Sequence, residues 1–211
     1  MEYDIILADP PWQFRVWSQK GKGRTAESHY PTMSLEDICA LPITKIAADN
    51  CALFIWVTWP TIFETEKVIK AWGFRYASLA FEWIKLNRSG IGFHVGMGYY
   101  ARANSEPCLL AVKGNMPVAV HDERNLLIEY EDDCDPSFIG LPMAGLGLPM
   151  ITPIKKHSQK PDEQYNKIDR LYPGYQNRVE LFARRPYPGW KSIGNAIDGQ
   201  DIFKTLESSP T

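Results

Sequence analysis

Asp9, Pro10, Pro11 and Trp12 place a carboxylate, two rigid residues and a flat ring directly after the apolar run Tyr3 to Ala8. Both prolines have a fixed φ and lack an N–H donor, so their carbonyls can face outward on a stiff backbone, with Asp9 as a further acceptor beside them. Two fixed acceptors suit an amine whose lone pair is delocalised into a ring, as in the exocyclic amine of adenine. Gripping its hydrogens favours the geometry that frees the lone pair, which is catalysis by orientation and electrostatics. Trp12 offers a surface for base stacking, a contact worth roughly 1–3 kcal/mol per base. The same four residues also fit a plain turn with a capping Asp9 and a core Trp12.

Other candidate chemistry is weaker. Gly96, Gly98 and Ala101 mimic a dinucleotide loop, but the segment neither follows a clear strand nor opens a clear helix. Pro107-Cys108 would supply a thiolate to a covalent mechanism, which an amine target does not need, so Cys108 reads as a buried strand residue. His157 fits a general base, yet the proton can leave to water, and a structural or cofactor-shell role suits it better. Cys39, Cys51, Cys108 and Cys134 are widely spaced with no matching histidine cluster, so neither disulfides nor a bound metal are expected.

The elements that must position the loop alternate between strand and helix. Tyr3 to Ala8 and Ala52 to Val57 read as buried strands. Ser34 with Asp37 caps a helix carrying Leu35, Ile38 and Leu41 on one face, and Thr61 with Glu64 forms a capping box for a second helix ended by Gly73. Ser78 to Leu86, Cys108 to Val112 and Arg178 to Ala183 read as strands, and Asp162 to Tyr172 as a helix stopped by Pro173-Gly174. The pattern implies an α/β fold, a mostly parallel sheet with helices on both faces and ligands beyond the carboxyl ends of the strands. Asp9 to Trp12, Thr58 to Pro60 and Arg184 to Pro188 are then expected along one edge.

A chain of 211 residues with 45% hydrophobic content suits one compact domain over residues 1–211, interrupted by long loops at about 13–31 and 115–153. No apolar run reaches the ~20 residues a bilayer requires, and the start of the chain is acidic, so a soluble, intracellular and cytoplasmic protein is expected. The net charge of -2 is not the footprint of a protein that grips nucleic acid over its whole surface. Local clusters matter more. Lys20, Lys22 and Arg24, in the first long loop, are the candidate clamp on a phosphate backbone.

With Asp9-Pro10-Pro11-Trp12 followed by His29-Tyr30-Pro31-Thr32-Met33, Leu53 to Thr58, Trp72-Gly73-Phe74, Trp83-Ile84-Lys85, Glu106, His157 to Glu163, Glu180 to Arg184 and Gly194-Asn195, the chain resembles the MT-A70 family of adenine-N6 methyltransferases along nearly its whole length. The resemblance implies a Rossmann-like class I methyltransferase fold and S-adenosyl-L-methionine as cofactor. It gives Asp9 and the Pro10 carbonyl the target amine, Trp12 and Tyr30 the base pocket, Lys160 the carboxylate of the cofactor, Asn195 its ribose and Arg184 the adenosine pocket. Arg102, beyond Gly98-Tyr99-Tyr100, becomes available for phosphate. A carboxylate partner also suits Lys160 because a cation before Pro161, at a helix start, opposes the dipole.

DNA is the favoured substrate, since no zinc finger or RNA module is recognisable. RNA is the alternative, followed by a non-catalytic binding partner and then methylation of a protein amide. A second copy of the chain or a partner subunit is expected to extend the basic surface. The chain departs from its relatives in having eight residues before Asp9, Ala196 where some have Gln, and a longer 115–153 segment.

Overall fold

A computed structural model of the chain describes residues 2–13, 32–85, 93–96, 100–131, 152–154, 160–199 and 201–207. Tyr30, Lys20, Lys22, Arg24 and His157 lie outside the described residues. The strands are β1 (Tyr3–Ala8), β2 (Ala47–Trp56), β3 (Arg75–Lys85), β4 (Ser105–Lys113), β5 (Leu126–Glu131), β6 (Thr152–Ile154), β7 (Arg178–Leu181) and β8 (Lys191–Ile193). The helices are α1 (Leu35–Ala40), α2 (Ile62–Ala71), α3 (Glu163–Leu171), α4 (Asn195–Asp198) and α5 (Ile202–Glu207). The fold is α/β and Rossmann-like. Where one domain is expected, contacts group the chain into two compact units, the first being Met1–Ser78 with Cys108–Pro117 and Gly174–Thr211, the second Leu79–Pro107 with Val118–Pro173.

In the first unit the strands run in the order β4-β2-β1-β7-β8. β1 is parallel to both β2 and β7, β7 is parallel to β8, and β4 is antiparallel to β2. Ile5, Ile6, Leu7 and Ala8 are all buried, as befits a central strand covered on both faces. Ser34 accepts the Asp37 N–H at 3.1 Å and caps α1. The cap expected of Thr61 and Glu64 is shifted by one step: Thr58 and Thr61 form the box, and Glu64 is exposed. Thr61 is buried against Thr58, so its hydroxyl serves the turn before α2 instead of the helix itself. Gly73, at φ +83°, ends the helix as expected, and the Trp72 indole N–H donates to the Ile38 carbonyl at 2.8 Å, tying α2 to α1.

In the second unit β6, β5 and β3 form a parallel run. β5 and β6 fall inside the stretch expected to be one long loop, because Leu126 to Glu131 supplies enough apolar and aromatic residues to extend the sheet despite its acids. Helix α3 buries Glu163, Gln164 and Lys167 along with Tyr165 and Ile168. These polar groups are satisfied across the unit. Lys167 donates to Glu123 and to the Arg124 carbonyl, both at 2.5 Å, and Arg170 bridges Glu123 at 2.6 Å and Glu163 at 3.2 Å. Among the described residues no helix is long and apolar enough to cross a membrane.

Candidate active site

β1 has β2 on one side and β7 on the other, all parallel, so the chain departs from β1 in both directions across the sheet. In open α/β sheets ligands bind beyond the carboxyl ends of the strands at such a switch point, and Asp9 begins the loop at the carboxyl end of β1. Three restraints stiffen it. The Trp12 N–H donates to the Pro10 carbonyl at 2.8 Å, closing a three-residue turn, and the Pro11 carbonyl accepts the Met33 N–H at 2.9 Å. The Trp12 indole N–H donates to the Trp56 carbonyl at 2.9 Å, anchoring the loop to the end of β2. A carbonyl oxygen has two lone pairs, so Pro10 keeps capacity for a second donor. Trp12 is 5% exposed, so it can contribute only a narrow part of its ring to a base pocket. Asp9, half-buried, starts the loop with a long 3.5 Å contact from its N–H to the Leu181 carbonyl.

The neighbouring edge is built by β7 and β8. β7 ends at Leu181, two residues earlier than the sequence pattern suggests, because Phe182 adopts a left-handed φ of +63° that turns the chain out of the sheet. A non-glycine residue held there stores strain of about 1–3 kcal/mol, which the surrounding structure must offset. Ala183 follows and donates its N–H to the Ile193 carbonyl at 3.0 Å; Arg184 is exposed. Gly194, just before Asn195 opens α4, has no room for a side chain: a β-carbon would sit 2.5 Å from the Ala183 oxygen and 2.8 Å from its nitrogen. Gly194→Ala is therefore expected to destabilise the protein by about 1–3 kcal/mol, read as a lowered chemical denaturation midpoint. An unchanged midpoint would show that this edge is soft. The first unit thus gathers the backbone of Asp9 to Trp12, Arg184 and Asn195 at one end of adjacent parallel strands.

Lys160 and Arg102 belong to the second unit. Lys160 is 10% exposed, and its ammonium lies 3.2 Å from Glu106 Oε2. The other carboxylate oxygen of Glu106 takes Lys85 at 2.8 Å, and the Lys85 and Lys160 nitrogens stand 4.0 and 5.8 Å from the centre of the Trp83 ring. Burial pushes the Glu106 carboxyl up, but Lys160 and Lys85 together outweigh it and hold it at about 2. Two ammoniums thus converge on one carboxylate against an aromatic face. The cation before Pro161 thus meets an anion supplied by the chain itself. Sequence reasoning gave Lys85 and Glu106 no role; the signal was the two-residue spacing of Trp83 and Lys85 on β3, which puts them on one face. Arg102 is exposed in the segment before β4. Among the described residues no group of three or more His, Cys, Asp or Glu converges as metal ligands do.

The MT-A70 family model matches residues 3–196. The chain is 27% identical to the Type II methyltransferase M.MunI of Mycoplasma sp. over 95% of its own length and 80% of that protein's. It is 29% identical to an N(6)-adenosine-methyltransferase MT-A70-like protein of Drosophila melanogaster, over 94% of this chain and 27% of that protein. It is also 29% identical to the N(6)-adenine-specific methyltransferase METTL4 of Mus musculus, over 98% of this chain and 40% of that protein. The chain therefore spans most of the bacterial relative and less than half of the two animal ones.

Proposed function

The chain belongs to the MT-A70 family of adenine-N6 methyltransferases, and from that premise we propose that it transfers a methyl group from S-adenosyl-L-methionine to N6 of adenine in DNA. The observation that supports this reading is the loop at the carboxyl end of β1, which starts at Asp9 and is tied down through the Pro11 carbonyl to Met33 and through the Trp12 indole to Trp56. In this reading the Asp9 carboxylate and the Pro10 carbonyl take the two amine hydrogens of adenine, which draws the nitrogen lone pair out of conjugation and aims it. Bound S-adenosylmethionine would supply an electrophilic methyl group on a sulfonium. Asp9 would stabilise the positive charge that develops on the attacking nitrogen as the methyl–sulfur bond breaks and the sulfonium leaves as a neutral thioether, and the proton would then pass to Asp9 or to water.

Lys160 is the residue proposed to pair with the cofactor carboxylate, a role that the family resemblance gives it and that the gathering of two ammoniums at Glu106 supports. Asn195 and Arg184 are proposed for the adenosine part, and Tyr30, Lys20, Lys22, Arg24 and Arg102 for the nucleic acid. DNA is favoured by the coverage: the matched stretch nearly fills a bacterial Type II methyltransferase and is only a minor part of the N(6)-adenosine enzyme. RNA is the second reading, supported by the name of that Drosophila relative. A duplex substrate requires extrusion of the adenine at a cost of a few kcal/mol.

Incubation with methyl-labelled cofactor and DNA, RNA or protein, followed by digestion to nucleosides, tests this directly. N6-methyldeoxyadenosine is the expected product; label in RNA alone would move the assignment to RNA, and no transfer to any acceptor would overturn it. In the same assay Lys160→Ala is expected to raise the KM for the cofactor roughly 10- to 100-fold, the worth of one charged hydrogen bond. An unaltered KM would remove Lys160 from the cofactor site.

A further inference from the structure

The sequence offers Trp12 as a stacking surface, but the structure closes most of its ring: Trp12 is 5% exposed and its indole N–H is bonded to the Trp56 carbonyl. A base near Asp9 needs its aromatic surface from elsewhere, and the same edge of the first unit supplies one. In the register of β1 with β2, Ala8 stands beside Ile55, which sets Asp9 level with Trp56. Trp59 follows three residues after Trp56, within about 11 Å of chain, and is 48% exposed. Its backbone is fixed. The Thr58 and Thr61 hydroxyls meet at 3.0 Å on either side of it, and the Thr61 N–H donates to the Thr58 carbonyl at 2.9 Å. The short helix Trp59–Thr61 runs on into α2, where Phe63, four residues after Trp59, is 91% exposed.

A single exposed apolar residue is ordinary, but two aromatic rings beside the proposed catalytic loop call for an occupant. The patch is small. Pro60 extends it, yet Glu64, Glu66, Lys67 and Lys70 are exposed immediately beyond, so it lacks the breadth of a protein-docking face and matches the flat face of one or two bases. The charge along the edge agrees. On the other side of β1, past the end of β7, residues 181–197 carry Arg184, Arg185 and Lys191 and no Asp or Glu, in a chain whose net charge is -2. The acids of α2 repel phosphate, and the arginines after β7 attract it. A nucleic-acid strand lying across this edge therefore meets aromatic surface on the β2 side and cations on the β7 side, the two components of a single-strand groove.

We propose that Trp59 is the stacking platform for an unpaired base adjoining the target adenine, and that the sugar–phosphate backbone runs from it towards Arg185. This rests on the nucleic-acid methyltransferase reading above and deepens it, since an unpaired neighbour requires a single-stranded or locally opened substrate. The Arg185 guanidinium lies 5.7 Å from the centre of the Tyr187 ring, which steadies it for a phosphate. Every group invoked belongs to the first unit.

The test uses the full chain and a fluorescently labelled single-stranded oligodeoxynucleotide containing one adenine. Trp59→Leu keeps an apolar side chain and removes the π face, and is expected to raise the Kd about 5- to 150-fold, whereas Trp59→Phe recovers most of the affinity. The Kd for S-adenosyl-L-methionine should be the same in all three proteins. Replacing each base beside the adenine in turn by an abasic residue locates the contact: at one position wild type and Trp59→Leu should bind alike. Arg185→Gln should lower the slope of log Kd against log salt by about 0.7, the value for one phosphate contact on a single strand. Wild-type affinity in Trp59→Leu would overturn the platform, as would an equal loss at every abasic position or an unrecovered loss in Trp59→Phe. A change in oligomeric state with the Kd intact would overturn it in favour of a protein partner. If the wild type methylates DNA and Trp59→Leu binds as tightly, only the platform falls; if the wild type methylates no nucleic acid, the parent reading falls and the platform with it.

Discussion

Asp9→Ala should lower the single-turnover rate of methyl transfer by roughly 10²–10⁴-fold, the range for losing a positioned acid–base or charge-stabilising group. Backbone and indole bonds that restrain the loop remain in the variant: Trp12 to Pro10, Met33 to Pro11 and the Trp12 ring to Trp56. Asp9→Asn should recover part of the rate, since an amide oxygen can still accept one amine hydrogen while the negative charge is gone. Rapid-quench measurement with saturating cofactor and nucleic acid distinguishes the steps. If Asp9→Ala keeps its rate within about tenfold and loses affinity instead, the carboxylate grips the ground state and does not aid the transition state.

A second large effect is expected at Glu106. Its carboxylate holds two ammoniums, and Glu106→Leu would leave Lys85 and Lys160 facing each other beside a 1% exposed Trp83. Removing one member of a buried ion group costs about 3–5 kcal/mol, and the partial exposure of this one argues for the lower end. The pH dependence follows from the depressed folded-state pKa of about 2, against 4.5 for an unperturbed glutamate. The stabilisation is complete above about pH 4.5 and is lost as pH falls towards 2, because the unfolded chain takes up the proton first. Thermal melting from pH 5 to pH 2 should show a steeper decline for the wild type than for Glu106→Gln. Parallel curves would mean that the carboxylate is solvated and the two lysines are not bound to it in solution.

Several elements stand where local pattern puts them, and much of what depends on tertiary contact does not follow from spacing. β1 follows from a run of apolar residues ended by two prolines, α1 from Ser34 and Asp37, and the end of α2 from Gly73. The Thr58–Thr61 box was missed because two threonines three apart offer two alternative caps, and the choice falls to the one that is buried. The left-handed Phe182 has no signature in sequence, since nothing but its surroundings forces a phenylalanine into that conformation. The Glu106 cluster joins residues from β3, β4 and the segment before α3, up to 77 positions apart, so no spacing rule could assemble it. β5 was hidden by its company, an apolar run set among acids, prolines and glycines that read as loop.

The pairing of β1 with β7 has a consequence for how the molecule comes into being. Ile5 stands beside Arg178, about 170 residues later, and contacts so distant in sequence carry a large closure entropy and form slowly. Until Arg178–Leu181 docks, the strand that leads into Asp9 is an uncovered edge, and the Leu181 oxygen that the Asp9 N–H faces is missing. A ribosome-bound chain lacking β7 would thus carry all four residues of the proposed catalytic loop without the strand that flanks them. Methyl transfer belongs to the completed fold, and the interval before closure is when the chain is most exposed to wrong strand pairing.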